Sequence, residues 1–534
     1  MNEPLILAAL SLCFGLSEPS PQPDLPSQDA TVVASDAPSD AAPSDAEARP
    51  LRIALNEDLP TLDPHHHLSI VGFAVLDNIF EALICRDREN DIVPCLATHW
   101  THSDFRRWTF FLRPDARFHH GAAAGVDDVV FSLERARKSP ASLVSSFLVS
   151  LDTVTADAEA GSVTLELGRP DPFFLESLSH IAIVPKDAPA EITEPSGTGA
   201  YRFVERRDGE LIRLRRFEHG ASPLPTETEI EMLVVPDAAK AVARLETGEV
   251  DLVYALPPAL VDRVEADPKL WVESRLGNGI LYLNLNPGFA PLADPRIRRA
   301  VDLGLDRQAL VRDIGLNHSR AADQMLHPGL FGYTPELEPV TRDVEEARRL
   351  VAETGLETPI RLEIQTTDSQ RSYGDAIAKQ LAEIGFRVDV LIRPWPELYP
   401  DFAAGKVGAW LGMWVFDGSD GALYFGTVAH RRTADGRWGA SDTMAPEVVR
   451  DEGFETDIRA AFAEPDLQKR RRAIQDLSRR STAMRLQVPL VWPLDLYGTR
   501  RDFKWQARKD NALLVREMQR RPSDAARASD KPTD

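Results

Sequence analysis

Three imidazoles in a row, His65-His66-His67, and two thiols, Cys85 and Cys95, are the densest chemistry in this chain of 534 residues. Histidine and cysteine ligate metals, but adjacent side chains do not converge on one ion without tertiary help, so the histidine run is expected to be a solvated loop cluster. Cys85 and Cys95 flank the charged turn Arg86-Asp87-Arg88-Glu89-Asn90-Asp91 between two short apolar segments. They meet across a hairpin as a disulfide if the body is exported; two separate reduced core cysteines are the alternative. Sequences matching GxSxG, HExxH or GxxxxGK[ST] are missing, and Gly197-Thr198-Gly199-Ala200-Tyr201-Arg202 fails the GxGxxG pattern at its last position. The expectation is therefore a protein that is not an enzyme, with no cofactor and no metal site.

The formal charge of −22 argues against a nucleic-acid partner held by a general positive field. Residues 4–13 form an apolar run of signal-peptide length, too short to span a bilayer, and Leu10-Ser11-Leu12-Cys13 is similar to a lipobox. Residues 1–17 are expected to be a signal peptide or lipoprotein leader, with Cys13 either lipidated or an ordinary buried signal-peptide thiol. Of the 34 positions 17–50, 25 are Pro, Ser, Ala or Asp and none is aromatic, so 18–50 is expected to be a disordered linker. The polar residues after Met518 are expected to fray, giving a disordered tail over 517–534.

The elements between these ends are mixed. Residues 51–55 alternate like an edge or half-buried strand, and 108–113 read as another. Val126, Val129, Val130 and Leu133 share one face of a helix behind Asp127-Asp128. Asp294 caps a helix with Pro295 in its first turn, and Asp306 caps the next. From Pro359 onward strand and helix alternate: strands at 360–365, 386–392 and 407–414, helices at 373–384 and 395–404. That order predicts a parallel sheet of α/β type, with ligand sites beyond the carboxyl ends of the strands, where 414–420 lie.

Ordered motifs then carry a resemblance. Thr61-Leu62-Asp63-Pro64-His65, Asn78-Ile79-Phe80-Glu81-Ala82-Leu83, Ile92-Val93-Pro94-Cys95-Leu96-Ala97, Gly197-Thr198-Gly199-Ala200-Tyr201, Gly248-Glu249-Val250-Asp251 and Asp294-Pro295-Arg296-Ile297-Arg298 follow one another along the chain. Together they resemble family 5 solute-binding proteins, the oligopeptide and dipeptide receptors of ABC importers. The resemblance implies a two-lobed periplasmic-binding-protein-like (type II) α/β clamp with a small domain inserted in the first lobe. The expected boundaries are 51–80, 190–280 and 490–516 for lobe I, 81–189 for the inserted subdomain and 281–489 for lobe II.

It also implies a ligand site. Trp414-Val415-Phe416-Asp417-Gly418-Ser419-Asp420-Gly421 resembles the segment whose first aspartate, here Asp417, pairs with the α-amino group of a bound peptide. A carboxylate between Trp414 and Phe416 sits in an apolar wall, where an ammonium partner offsets its desolvation; the alternative is a turn cap with Gly418. Trp395 matches a pocket-lining aromatic position, or else anchors its own helix as a core residue. Ser69, Ile70 and Val71 follow the Leu-Asp-Pro-His motif, where backbone and side chains of the first lobe approach the ligand in that family. Tyr282 and Asn284 lie near the lobe crossing, with a plain strand the preferred reading of both.

Two departures bear on the substrate. Where dipeptide receptors hold the peptide carboxylate with arginine, this chain has Ile364-Gln365-Thr366-Thr367, and the aspartate-proline pair has become Asp420-Gly421. Longer peptides, whose carboxyl ends need no fixed partner, fit this pattern better. The resemblance thus implies a periplasmic or cell-envelope, monomeric substrate-binding subunit that delivers peptides unchanged to an ABC permease in the inner membrane, with a lipid anchor at Cys13 left open. The alternatives are a peptide or small-cation sensor or chaperone without transport duty, or a binder of a non-peptide solute such as a nickel chelate.

Overall fold

A computed structural model describes residues 49–168, 170–171, 173–219, 224–416, 419–433, 439, 441–444 and 451–520. The expectations for residues 1–48, Cys13 among them, and for Asp417 fall outside these residues.

The strand Leu51–Leu55 lies inside a sheet, not at its edge. It pairs in parallel with Glu229–Val234 on one side and with Leu252–Val253 on the other, so both faces are covered, and Leu51, Ile53, Ala54 and Leu55 are buried. The alternation that reads as half-buried comes from Arg52 alone, whose guanidinium reaches Glu231 at 2.8 Å. Antiparallel strands Leu211–Arg216 and Tyr201–Arg207 extend this first lobe.

The fourteen-residue strand Gln487–Arg500 joins the two halves. Its last residues pair with Leu270–Leu276 and Leu252–Val253 in the first lobe, and its first residues pair with Gly279–Leu285 in the second. Among the described residues the chain therefore crosses between lobes twice, at 277–278 and in the middle of this strand. Beyond Gly279–Leu285, the strand Ala409–Val415 runs antiparallel to it, then Ile360–Thr366 and Phe386–Ile392 follow in parallel. The strand and helix alternation after Pro359 forms the parallel part as expected, with helices Arg371–Ala382 and Trp395–Ala403 as the crossovers. Tyr282 and Asn284 sit wholly buried in mid-strand, Asn284 Nδ2 donating to Thr443 O at 2.8 Å; they are sheet residues rather than pivots.

A four-stranded antiparallel sheet, in the order Ala97–Ser103, Arg107–Leu112, Ser162–Leu167 and Leu151–Asp157, has a separate core under the helix Val126–Lys138. That helix buries Val126, Val129, Leu133 and Ala136, and the Asp128 carboxylate accepts from Gly125 N at 2.8 Å to close its first turn. Arg135 in its last turn ties it to the first lobe through an ion pair with buried Asp63. Burial alone would raise the Asp63 carboxyl, but hydrogen bonds from Arg135, Ile192 N and His65 N with the Arg135 charge bring it below its ordinary value.

The histidine run is not a solvated cluster. His65 and His67 are buried, the ring of His65 bonding Ala182 O and Arg135, and His67 packing on Phe73. Burial pushes both imidazoles down to about 4, so they are neutral packing groups near pH 7. Among the described residues no group of three or more His, Cys, Asp or Glu is placed to hold a metal ion.

Two far-separated stretches meet at Asn78. Its Nδ2 donates to Ala74 O at 2.9 Å and to Leu513 O at 2.8 Å, and its Oδ1 accepts from Val515 N at 2.8 Å. Around the same turn, Gly199 N donates to Ile79 O, and a Cβ at Gly197 would lie 2.0 Å from Ile79 O. The Gly-Thr-Gly motif is thus a close backbone approach and not a phosphate loop. The C-terminal segment is ordered beyond 517, with Gln519–Arg520 pairing antiparallel to Phe503–Lys504.

Asn78→Ala leaves the buried Leu513 carbonyl and Val515 amide without partners, an expected loss of about 2–4 kcal/mol. Urea unfolding followed by circular dichroism checks it, and a loss under about 0.5 kcal/mol contradicts the anchoring role.

Candidate functional site

A cavity of about 170 Å³ lies where the lobes, the inserted subdomain and the C-terminal segment converge. That is room for a small molecule rather than for a single water. Its first wall is the helix Ile70–Leu76, started by Ser69, whose hydroxyl accepts from Gly72 N at 3.1 Å. The helix turns Val71, Val75 and Leu76 into the first-lobe core and leaves Ile70, Phe73 and the terminal Asp77 on the cavity. The second wall is Asn278 from the crossing with Val415 and Phe416 from the end of the strand Ala409–Val415. The third is the segment 508–516, held against the helix by Asn78.

The hairpin of Ile84–Arg86 and Ile92–Pro94 closes one end and is bridged by a Cys85–Cys95 disulfide, with Cα atoms 5.4 Å apart. Arg508 fastens this hairpin to the C-terminal segment, donating to the carbonyls of Arg86 and Asp87 at 2.9 and 3.0 Å while pairing with Asp510 and Glu517, each at 2.6 Å. The Asp77 carboxyl touches solvent in the cavity yet is walled in by protein. Burial, then the nearby Asp510, raises it to about 7 against the pull of Arg508 and Arg516.

At the crossing itself, the Asp495 carboxyl is raised to about 7 by burial, a hydrogen bond from Asn511 only partly opposing the shift. Its Oδ2 has no hydrogen-bond partner among the described residues.

Across the cleft mouth the lobes touch through the inserted subdomain. Ser419 Oγ donates to Glu176 Oε1 at 2.8 Å, and Glu176 is also paired with Arg86 at 2.5 Å. The Phe173 ring is received by the second lobe between the Arg470 guanidinium, 4.1 Å from its centroid, and Phe462, 4.5 Å away. Asp420 faces Arg470 at 3.1 Å, its carboxyl raised to about 6 because burial outweighs the Arg470 charge. The change from proline to Gly421 has a reason here. Gly421 N donates to Phe331 O at 2.9 Å, a bond that proline lacks the hydrogen to make.

Of the residues singled out in the sequence, Phe416 lines the cavity and Ser69 caps the helix that forms its first wall. Trp395 lies in the second-lobe core beside Tyr399, Phe402 and Trp410, with ring centroids 5.2, 5.6 and 5.9 Å away, and Trp414 is buried in the same core. Neither tryptophan is in the cavity wall. Phe73, Asp77, Asn511 and Arg516 also line the cavity, without a local sequence pattern that marks them. Asp77 stands immediately before the Asn-Ile-Phe-Glu-Ala-Leu motif, and the charges at 508, 510 and 516 were the available signal that the last segment packs against something.

The pattern of bacterial extracellular solute-binding proteins, family 5 (middle region), matches residues 91–435. The dipeptide-binding protein of Escherichia coli K12 is 24% identical over 375 residues, which span 63% of this chain and 70% of that protein. The ABC transporter-associated periplasmic binding protein DppA of Helicobacter pylori, solved with the peptide STSA, superposes with a TM-score of 0.72 at 20% identity, covering 88% of this chain and 98% of its own. NikA of Brucella suis, solved with Fe(III)-EDTA, superposes with a TM-score of 0.80 at 17% identity over 89% and 100%. Both solved proteins share the fold.

Two outcomes follow from this geometry. The folded protein keeps the Asp495 proton up to about pH 7, whereas an unfolded aspartate loses it near 4, so this group's contribution to stability falls as the pH rises from about 4 to about 7. Asp495→Asn is expected to gain on the wild type in denaturant midpoint between pH 5 and 8, and a difference that does not change with pH contradicts the assignment. Phe173→Ala removes an aromatic ring that packs on Arg470 and Phe462 of the second lobe, so ligand affinity is expected to fall about tenfold to a hundredfold in calorimetry. Unchanged affinity contradicts a role in closure.

Proposed function

From the premise that this chain belongs to the bacterial extracellular solute-binding proteins of family 5, we propose that it is the peptide-capturing subunit of an ABC importer. The observation that carries this reading is a cavity with walls from both lobes, in a chain that crosses between those lobes only twice among the described residues. Two crossings permit rotation about a hinge, and closure encloses the ligand and strengthens each polar contact made to it. The first-wall helix and the Phe416 end of the second lobe approach the ligand from opposite sides. The family is one of solute-binding proteins, and in this proposal the ligand leaves as it entered, passed to a permease in the inner membrane. The names of relatives that bind dipeptides and of a fold neighbour solved with a peptide support a peptide as the cargo.

Asp417 follows Phe416 directly in the chain. In this proposal its carboxylate meets the α-ammonium of the peptide. Residues 1–17 act as the export leader, with Cys13 as the lipidation site, and the protein works as a monomer at the cell envelope. The fold shared with a protein solved with Fe(III)-EDTA favours one second reading, capture of an anionic metal chelate.

Asp417→Asn is expected to weaken binding of a peptide with a free amino terminus by about 2–4 kcal/mol, since one charge loses its partner. Isothermal titration should show an N-acetylated peptide indifferent to the change. Equal losses for both ligands contradict the contact, and wild-type binding of Fe(III)-EDTA in preference to any peptide supports the chelate reading instead.

A further inference from the structure

Four rings from four separate elements line the cavity. Phe73 comes from the helix Ile70–Leu76, Phe147 from the short turn Val144–Leu148 of the inserted subdomain, His180 from just beyond the helix Phe174–Leu178, and Phe416 from the second lobe. The first three form a column along one side. The Phe147 and His180 rings stack at 4.8 Å between centroids with 20° between their planes, His180 meets Phe73 at 5.4 Å and 59°, and Phe73 leans on His67 behind it at 4.8 Å. His67 is buried, whereas Phe73, Phe147 and His180 are each half-buried and keep part of their surface on the cavity. Such a column differs from an aliphatic lining. Each ring has a negative face and a positive edge, which favour another ring stacked or edge-on over a saturated group of equal size. The rings hold one another in place, so their planes are set before a guest arrives and little ordering is left to oppose binding.

We infer that the column of Phe73, His180 and Phe147, with Phe416 in the second-lobe wall, is a subsite for a planar aromatic group on the cargo, a phenylalanine-type side chain where the cargo is a peptide. This rests on the peptide-capture reading and uses no charge in the wall. The size is sufficient: a cavity of about 150 Å³ holds a benzene ring, and this one is about 170 Å³. A guest ring lying on the column exchanges water for ring surface contributed by the first-wall helix and the inserted subdomain together, and Phe416 offers it an apolar surface from the second lobe. Selection is thereby exercised on a side chain, through the shape and quadrupole of its ring.

Isothermal titration of the full chain with trialanine, with the peptides in which one alanine is phenylalanine, and with the matching cyclohexylalanine peptides tests this. Cyclohexylalanine has the same carbon skeleton and is at least as apolar but lacks the π face, so area burial alone predicts that it binds as well as phenylalanine. Wild type is expected to favour phenylalanine over cyclohexylalanine by about threefold to tenfold at one position of the peptide. Phe147→Leu and Phe73→Leu should each bring that ratio close to one, and Phe147→Tyr should keep it. Because the ratio is taken within one variant, a general loss of affinity does not imitate the effect. A wild-type ratio close to one at every position overturns the inference, as does persistence of the preference in both leucine variants, and both results leave the peptide-capture reading standing. Failure of wild type to bind any of these peptides overturns that reading and the inference with it.

Discussion

Asn78 closes the molecule on itself. A buried asparagine has donors and an acceptor that must all be satisfied, and here the partners come from its own helix and from Leu513 and Val515, more than four hundred residues away. That requirement fixes the C-terminal segment against the helix Ile70–Leu76. Without it the cavity would have two walls, and Arg508, Asn511 and Arg516 would have no defined place. The Gly-Thr-Gly approach beneath the same turn removes side chains that would hold these backbones apart. The geometry of the ligand cavity is therefore set by hydrogen bonding outside it.

Around that anchor the protein follows a consistent rule for charge. Ionic groups deep in the structure are matched, as Asp63 is by Arg135 and Arg307 is by Asp302 at 2.5 Å, because an isolated buried charge is costly. Asp495 at the crossing departs from this rule, a half-buried carboxyl whose Oδ2 has no hydrogen-bond partner among the described residues. This is a position where a rotation of the lobes alters the surroundings of the group. The contact between the inserted subdomain and the second lobe is built differently, from the Phe173 ring and the Ser419 to Glu176 hydrogen bond.

Much of the fold was legible because it is local. Asp294 with Pro295, the Val126 stripe and the alternation after Pro359 all appear where periodicity and capping chemistry put them. The errors came from tertiary context. Residues 51–55 look half-buried only because Arg52 finds Glu231 across a strand whose pairing no local pattern reveals. His65 and His67 look like solvated residues, yet long-range packing buries them. Of the residues expected at the site, Phe416 lies on the cavity and Ser69 caps one of its walls, whereas Asp77 and the 508–516 segment carried no local pattern that marks them. Their sharing a cavity depends on packing between segments at opposite ends of the described chain, and helical spacing says nothing about that.

Together these features describe a family 5 solute-binding protein with a cavity walled by both lobes and a two-strand crossing among the described residues. Native mass spectrometry of the protein as it is purified, followed by denaturation and identification of the released molecule, tests this most directly. The account predicts one small, chemically unaltered ligand bearing both an ammonium and a carboxylate group. An uncharged ligand, or a molecule released as cleavage products or held covalently, would contradict it.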